Sequence, residues 1–257
     1  MGCRQGALPT CCKRGSAFMS PHSQNYEVFI KGENIDLVIP NERAIEKDGW
    51  HSWFNDPEVT RYLKYGLFPN TPAEQRQRLQ KIQGSDDGLY LLVLPKDAEK
   101  VTGIAHIAGI DWKCRSGHFG LVMGGRGRGA GTIFESLEAK ARMVEHAFEV
   151  IGLERIWGRQ VVELEIWQRY QILFGFKPEG IQRNSFRRGQ KYYDEVITSC
   201  LLDDYLKLKE ARQGHYWPGR EKVYELMRSL PDYSLVHKVA ATIQETIKNY
   251  LDSVQWG

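Results

Sequence analysis

The chain has 257 residues, of which 42% are hydrophobic and 26% charged, with 35 Lys and Arg against 32 Asp and Glu. That composition suits a globular protein with one large core or two small ones and excludes a collagen or a disordered tail. Mean hydropathy is -0.47, and no apolar run nears the ~18 residues of a spanning helix, so no membrane partner is expected.

The formal charge of +3 lies entirely in residues 1–24, where Arg4, Lys13 and Arg14 stand without an acid. The remainder is balanced, whereas nucleic-acid binders carry a domain-wide basic excess, so no nucleic-acid partner is expected. Cys3, Cys11 and Cys12 fall in the same stretch, with only Cys114 and Cys200 beyond it. An odd count at irregular spacing suits a reducing compartment, and a cytoplasmic location is expected. Met1-Gly2-Cys3 invites a lipidation reading, but Gly6 stands where a myristoylation site needs Ser or Thr, and no apolar secretory segment follows. Residues 1–24 therefore read as a disordered leader or a mis-called start, with Met19 just ahead of the patterned sequence.

From Asn25 the pattern becomes regular. The alternation Ile35, Leu37, Ile39 predicts a strand ending at Pro40, and the run from Glu42 to Phe54, with Trp50 and Trp53, predicts an amphipathic helix. Thr71-Pro72-Ala73-Glu74 supplies an N-cap, a first-turn proline and an acid three residues on, which predicts a polar helix to about Ile82. Asp86-Asp87-Gly88 predicts a turn. Three apolar runs, Leu89 to Leu94, Val101 to Ile110 and His118 to Met123, predict an antiparallel meander. A glycine-rich stretch, Gly124 to Gly131, precedes apolar residues at helical spacing from Ile133 to Phe148. Arg155 to Val162 predicts a strand, Leu164 to Leu173 a short helix, Arg183 to Lys191 a turn region and Tyr193 to Leu201 a β-rich end. Residues 203–257 hold eight acids and eight bases and predict an appended helical pair broken at Pro231-Asp232.

Bare backbone at the start of a long helix presents N–H groups and a favourable dipole end to an anion, so residues 124–132 are a candidate pyrophosphate site. The alternatives are a flexible turn, a dinucleotide fingerprint on Gly125, Gly127 and Ala130, or an RGG-type RNA segment. A Walker loop is excluded, since no G-K-[ST] is present. The fingerprint would follow the first parallel strand of a βαβ unit, and here a meander precedes it.

Arg126-Gly127-Arg128-Gly129-Ala130-Gly131 resembles the R/Q-x-x-G-x-G/A acyl-CoA motif of the GNAT superfamily of N-acyltransferases. Trp53-Phe54-Asn55-Asp56-Pro57-Glu58-Val59-Thr60-Arg61-Tyr62 is similar to the W-x-N-D-P-E-V-x-R segment of one large branch, whose enzymes acetylate ribosomal-protein N-termini, polyamines and amino sugars. Gly175-Phe176-Lys177-Pro178-Glu179-Gly180 looks like its G-F-K-x-E-G segment, and Arg183, Gly189, Tyr192 and Asp194 fit the run that follows. The resemblance spans about Gly32 to Leu202 and leaves the leader and C-terminal helices uncovered.

It implies an α/β fold with a mixed, centrally splayed β-sheet flanked by helices over residues 25–202, followed by a helical extension over 203–257. It also implies acetyl-CoA as co-substrate, with its pantetheine arm between the two splayed strands beside Leu121, Val122 and Met123. Its pyrophosphate would sit on Arg126, Gly127, Arg128, Gly129, Ala130, Gly131 and Thr132. A primary amine, on an amino sugar, a peptide N-terminus or a small polyamine, would attack the thioester directly. The family's usual Asn, Ser and Tyr fall on Leu164, Trp167 and Gln171, which makes the adjacent Tyr170 the candidate general acid. His118, where many members carry Glu, is the candidate base because imidazole titrates near neutral pH. His106, Asp111 and Glu163 are weaker candidates. Trp50, Trp53 and Trp167 at helical positions suggest core packing. The seven histidines show no metal-ligand spacing, so no metal is implied. A non-catalytic acyl-CoA-binding or assembly module on the same fold is the alternative. The apolar faces of the C-terminal helices need cover, from the catalytic domain or from a second copy in a homodimer.

Overall fold

The computed structural model describes residues 25–124, 130–231 and 235–254. The leader and the glycine-rich residues 125–129 lie outside the described residues. The described chain opens with β1 (Val28–Lys31), β2 (Ile35–Val38), α1 (Glu42–Glu46), α2 (Trp50–Trp53), α3 (Pro57–Thr60) and α4 (Pro72–Gln83). The middle holds β3 (Leu89–Pro95), β4 (Gly103–Asp111), β5 (Ser116–Met123), α5 (Ala130–His146) with a π-helical turn at Ala147–Ile151, β6 (Arg155–Val161) and α6 (Glu165–Ile172). Then come β7 (Lys177–Arg188), β8 (Lys191–Leu201), α7 (Leu202–Ala211), α8 (Arg220–Ser229) and α9 (Leu235–Asp252).

The strands form one sheet in the order β1-β2-β3-β4-β5-β6-β8-β7, antiparallel except where β5 meets β6. The predicted meander is β3 to β5, and the predicted capping box on Thr71 and Glu74 opens α4. Two expectations are corrected. The single helix from Glu42 to Phe54 is two short ones, because Gly49 turns left-handed at φ 73° and Asp48 accepts from the Tyr26 hydroxyl (2.5 Å) and the Val101 amide (3.0 Å). The turn region at Arg183 to Lys191 is mostly strand: β7 runs to Arg188 and pairs with β8 through a tight turn at Gly189-Gln190.

Each face of the sheet buries its own cluster. On one, α5 packs Leu137, Met143 and Val144 on Leu91, Ile107, Phe119 and Ile156. On the other, α1, α2 and α4 bring Ile45, Trp50, Trp53 and Leu79 onto Leu92, Leu94, Ile104 and Val122. The buried carboxylate of Glu138 on α5 accepts from the Asn34 amide and side chain (both 2.9 Å) and from the Glu33 amide, fixing the β1–β2 turn.

The C-terminal helices join the α5-side core. Tyr205, Tyr216, Trp217 and Val223 are buried in it. Tyr216 donates to the Phe174 carbonyl (2.7 Å), Trp217 Nε1 donates to Glu33 (2.7 Å), and the Trp217 ring stacks on Phe174 at 6.0 Å. α9 lies against α6 and β7 and leaves Ile247, Tyr250 and Leu251 exposed. Among the described residues no helix is long and apolar enough to cross a membrane.

Candidate active site

β5 and β6 run parallel and pair only from Ser116↔Arg155 to His118↔Trp157. Beyond that, β5 stays with β4 as far as Met123↔Gly103 and β6 stays with β8 as far as Val161↔Glu195, so the two halves of the sheet part. The gap is a cleft of about 460 Å³, a volume that takes a small-molecule ligand. Leu121, Val122 and Met123 form one wall, Gly158, Arg159 and Gln160 the other, and Leu164 just ahead of α6, with Trp167 and Gln171 within it, closes the α5 side. Ala130, Gly131 and Thr132 open α5. Arg126, Gly127, Arg128 and Gly129 lie outside the described residues.

His118 stands where the strands separate, half-buried, with its ring edge-on to Trp157 at 4.8 Å. Burial pushes its imidazole below the ordinary pKa, the positive charges of Arg159 and Lys64 act the same way, and Glu195 opposes them. The neutral, proton-accepting form is thus present at neutral pH. His106 lies on the same face, stacked on Tyr90 at 5.3 Å, and burial, then His118, bring it to about 4. Opposite His106 in the ladder is Gly120, where a Cβ would lie 2.3 Å from the His106 ring. Glu195, buried on β8 and lining the cleft, accepts from Ser185 Oγ at 2.9 Å. The residues after α3 form the outer wall, with Tyr62 edge-on to Tyr193 at 5.7 Å. Arg188 holds that wall in place, donating to the carbonyls of Tyr65 (2.8 Å) and Gly66 (3.3 Å) and to Thr60 Oγ1 (3.1 Å).

Residues 41–163 match the family described as acetyltransferase (GNAT) domain. These residues form an acetyltransferase (GNAT) domain. Among solved structures the chain resembles a GCN5-related N-acetyltransferase from Brucella melitensis at 25% identity and TM-score 0.59, over 77% of this chain and 91% of that one. It also shares the fold of a spermidine N-acetyltransferase from Vibrio cholerae, solved with CoA and spermine (18% identity, TM-score 0.60, 68% and 99% covered). A third likeness is to the microcin C7 self-immunity acetyltransferase MccE, solved with acetyl-CoA and AMP (16%, TM-score 0.56, 66% and 94%). Among curated proteins, none matches the chain in sequence.

Of the residues singled out from the sequence of this acetyltransferase, the cleft gathers His118, His106 and Leu121 to Met123. Tyr170 packs half-buried against the α5-side core and does not line it, whereas Gln171 does. Asp111 is exposed and accepts from the amides of Lys113 (2.9 Å) and Cys114 (3.0 Å), a turn cap, and Glu163 is exposed. Sequence reasoning missed Glu195, which sits in a β-run of mixed polarity without a motif. It also missed Lys140, fully buried on α5, whose Nζ donates to Gln171 Oε1. A lysine on the same helical stripe as Leu137, Ala141 and Val144 was the available signal.

Proposed function

We propose that the protein transfers an acetyl group from acetyl-CoA to a primary amine by direct attack, within a catalytic unit of residues 25–202 that carries a helical extension. The observation that carries this reading is the parting of β5 and β6 after His118, which leaves backbone edges on both sides of a cleft leading toward the start of α5. Leu121 to Met123 would flank the pantetheine arm, and Arg126 to Thr132 with the α5 N-terminus would take the pyrophosphate. His118 would remove the proton of the attacking ammonium, with the pair brought together by the site. The buried Glu195 lies on the same face and would draw that ammonium in, while Lys64 and Arg159 at the rim favour an acceptor that also carries a negative group. Tyr170 takes no part in this reading, because its side chain is turned to the core.

Two measurements test it. CoA and acetyl-CoA should raise the melting temperature, and Gly131→Val should abolish that rise in a folded protein. Thiol release across amino sugars, peptides with free N-termini and polyamines should then identify the acceptor. Binding of CoA without turnover of any amine would instead favour a non-catalytic module.

A further inference from the structure

α6 lines the cleft with one face only. Leu164 just ahead of it, then Trp167 and Gln171, border the cleft, and the helical period puts Glu165 and Arg169 on the far side. The helix has eight residues, and its N-cap, Leu164, offers no side-chain acceptor. An uncapped helix of that length is marginal by itself, so its position depends on what holds it. From the catalytic unit, Gln168 Nε2 donates to the carbonyls of Val161 (2.9 Å) and Val162 (3.0 Å), where β6 ends. The remaining polar holds come from the C-terminal extension. Arg212, just after α7, donates to the carbonyl of the C-cap Leu173 (2.5 Å), where a cation also suits the negative end of the helix dipole. Tyr216 donates to the next carbonyl, that of Phe174. Arg169 donates to the Pro231 carbonyl (2.8 Å), and Glu165 Oε1 lies 3.2 Å from His237 Nε2 on α9.

The extension thus grips α6 at its first turn, its middle and its end, and does so from behind the cleft. α9 is the most lightly anchored part of this grip. It lies on α6 and β7 and contributes to neither core cluster, and Val236, 3% exposed, is its one buried residue among those described. We propose that α9 is a brace for the cleft wall: docked, it keeps the Trp167 and Gln171 face of α6 in the place where a CoA-type ligand meets it, and undocked, it lets that wall recede and the ligand weaken. Arg169 and Glu165 are positioning residues that act through the helix. Because one short helix carries both contacts, the coupling is reciprocal: a ligand that needs the wall in place favours docked α9 by the factor that docking favours the ligand. Residues 203–257 then serve the ligand site as well as the core, although the matched domain ends at residue 163.

The inference rests on the acetyl-CoA reading, and CoA binding with amide hydrogen exchange tests it on the full-length chain without turnover. Val236→Asp puts a charge at the one buried point of α9 and should undock it. Exchange over residues 165–172 should then rise ~10-fold or more, while β3 to β5 keep their wild-type protection, which a general loss of stability would not allow. CoA affinity should fall ~5-fold or more, and saturating CoA should slow exchange along α9 of the wild type by about the same factor. Arg169→Met should move both readouts in the same direction, and Arg169→Lys, which keeps a donor to the Pro231 carbonyl, should largely restore them. In turnover the KM of acetyl-CoA should rise and that of the acceptor amine stay unchanged. Wild-type CoA affinity in folded Val236→Asp and Arg169→Met would overturn this inference alone, whether or not α6 exchanges faster. Failure of the wild type to bind CoA would overturn the acetyl-CoA reading and this inference with it. Should Val236→Asp lose protection in β3 to β5 too, the two Arg169 variants decide.

Discussion

Burial holds the His118 imidazole below its ordinary pKa, and Arg159 and Lys64 add to the effect while Glu195 works against it. A base with a lowered pKa is unprotonated over most of the physiological range and gains activity as pH rises through that lowered value. The profile of kcat/KM should therefore climb through an inflection on the acid side of ordinary histidine, and His118→Ala should remove the inflection and cost ~10²-fold in rate. Glu195→Gln takes away the charge that opposes the shift, so in that variant the inflection should move further toward acid. An inflection that stays in place would show that the two groups do not interact. Gly120 serves the same site sterically. Its missing Cβ makes room for the His106 ring, and Gly120→Ala should displace that ring, with a lowered rate and a perturbed His106 resonance as the observables.

At the level of elements, the sheet is held at the end where β5 and β6 still pair by side chains as well as by ladders. Arg155 at the start of β6 donates to both oxygens of Glu179 on β7 (2.6 and 2.7 Å), and Ser199 of β8 donates to the same carboxylate (2.7 Å). The Arg155 guanidinium keeps the Glu179 carboxyl below its ordinary range, with burial opposing it and Ser199 assisting. A depressed carboxyl contributes stability above its unfolded pKa and loses it as pH falls through the folded one. Both partners are partly exposed, so screening limits the pair to ~1 kcal/mol. Urea unfolding of Glu179→Gln should show about that loss at neutral pH and a shallower decline toward acid. How far elements were legible depends on what their residues face. β3 to β5 bury apolar alternation and α4 carries its cap in the sequence, so both could be read directly. β7 exposes Arg183, Asn184 and Arg187, and a strand of exposed polar residues has the composition of a turn. The splay between β5 and β6 is not written in either strand, since it arises from what each pairs with on its other side. For the same reason the motif residues near the cleft were legible one by one, while Glu195 and Gln171 reach the cleft only because two separate elements, β8 and α6, meet there.

The whole molecule is closed from its C-terminal side. Tyr205, Tyr216, Trp217 and Val223 occupy the same core as α5, and Trp217 ties that core to Glu33 in the first hairpin. Trp217→Ala should cost ~3–5 kcal/mol, read as a lowered urea midpoint, because it opens a cavity against Phe174 and frees the Glu33 carboxylate. Truncation after Leu206 removes Tyr216, Trp217 and Val223 together and should lower both melting temperature and solubility. A truncated protein that kept its melting temperature would refute the packing role. The position of Trp217 also sets an order of events during synthesis. All eight strands have been translated once Leu201 is added, yet the ring that covers Phe174 has not. Domains generally fold as units as the chain emerges, and this one completes its larger core only after the residues around Trp217 have cleared the ribosome. Until then the Phe174 ring lacks the cover that Trp217 gives it in the finished fold.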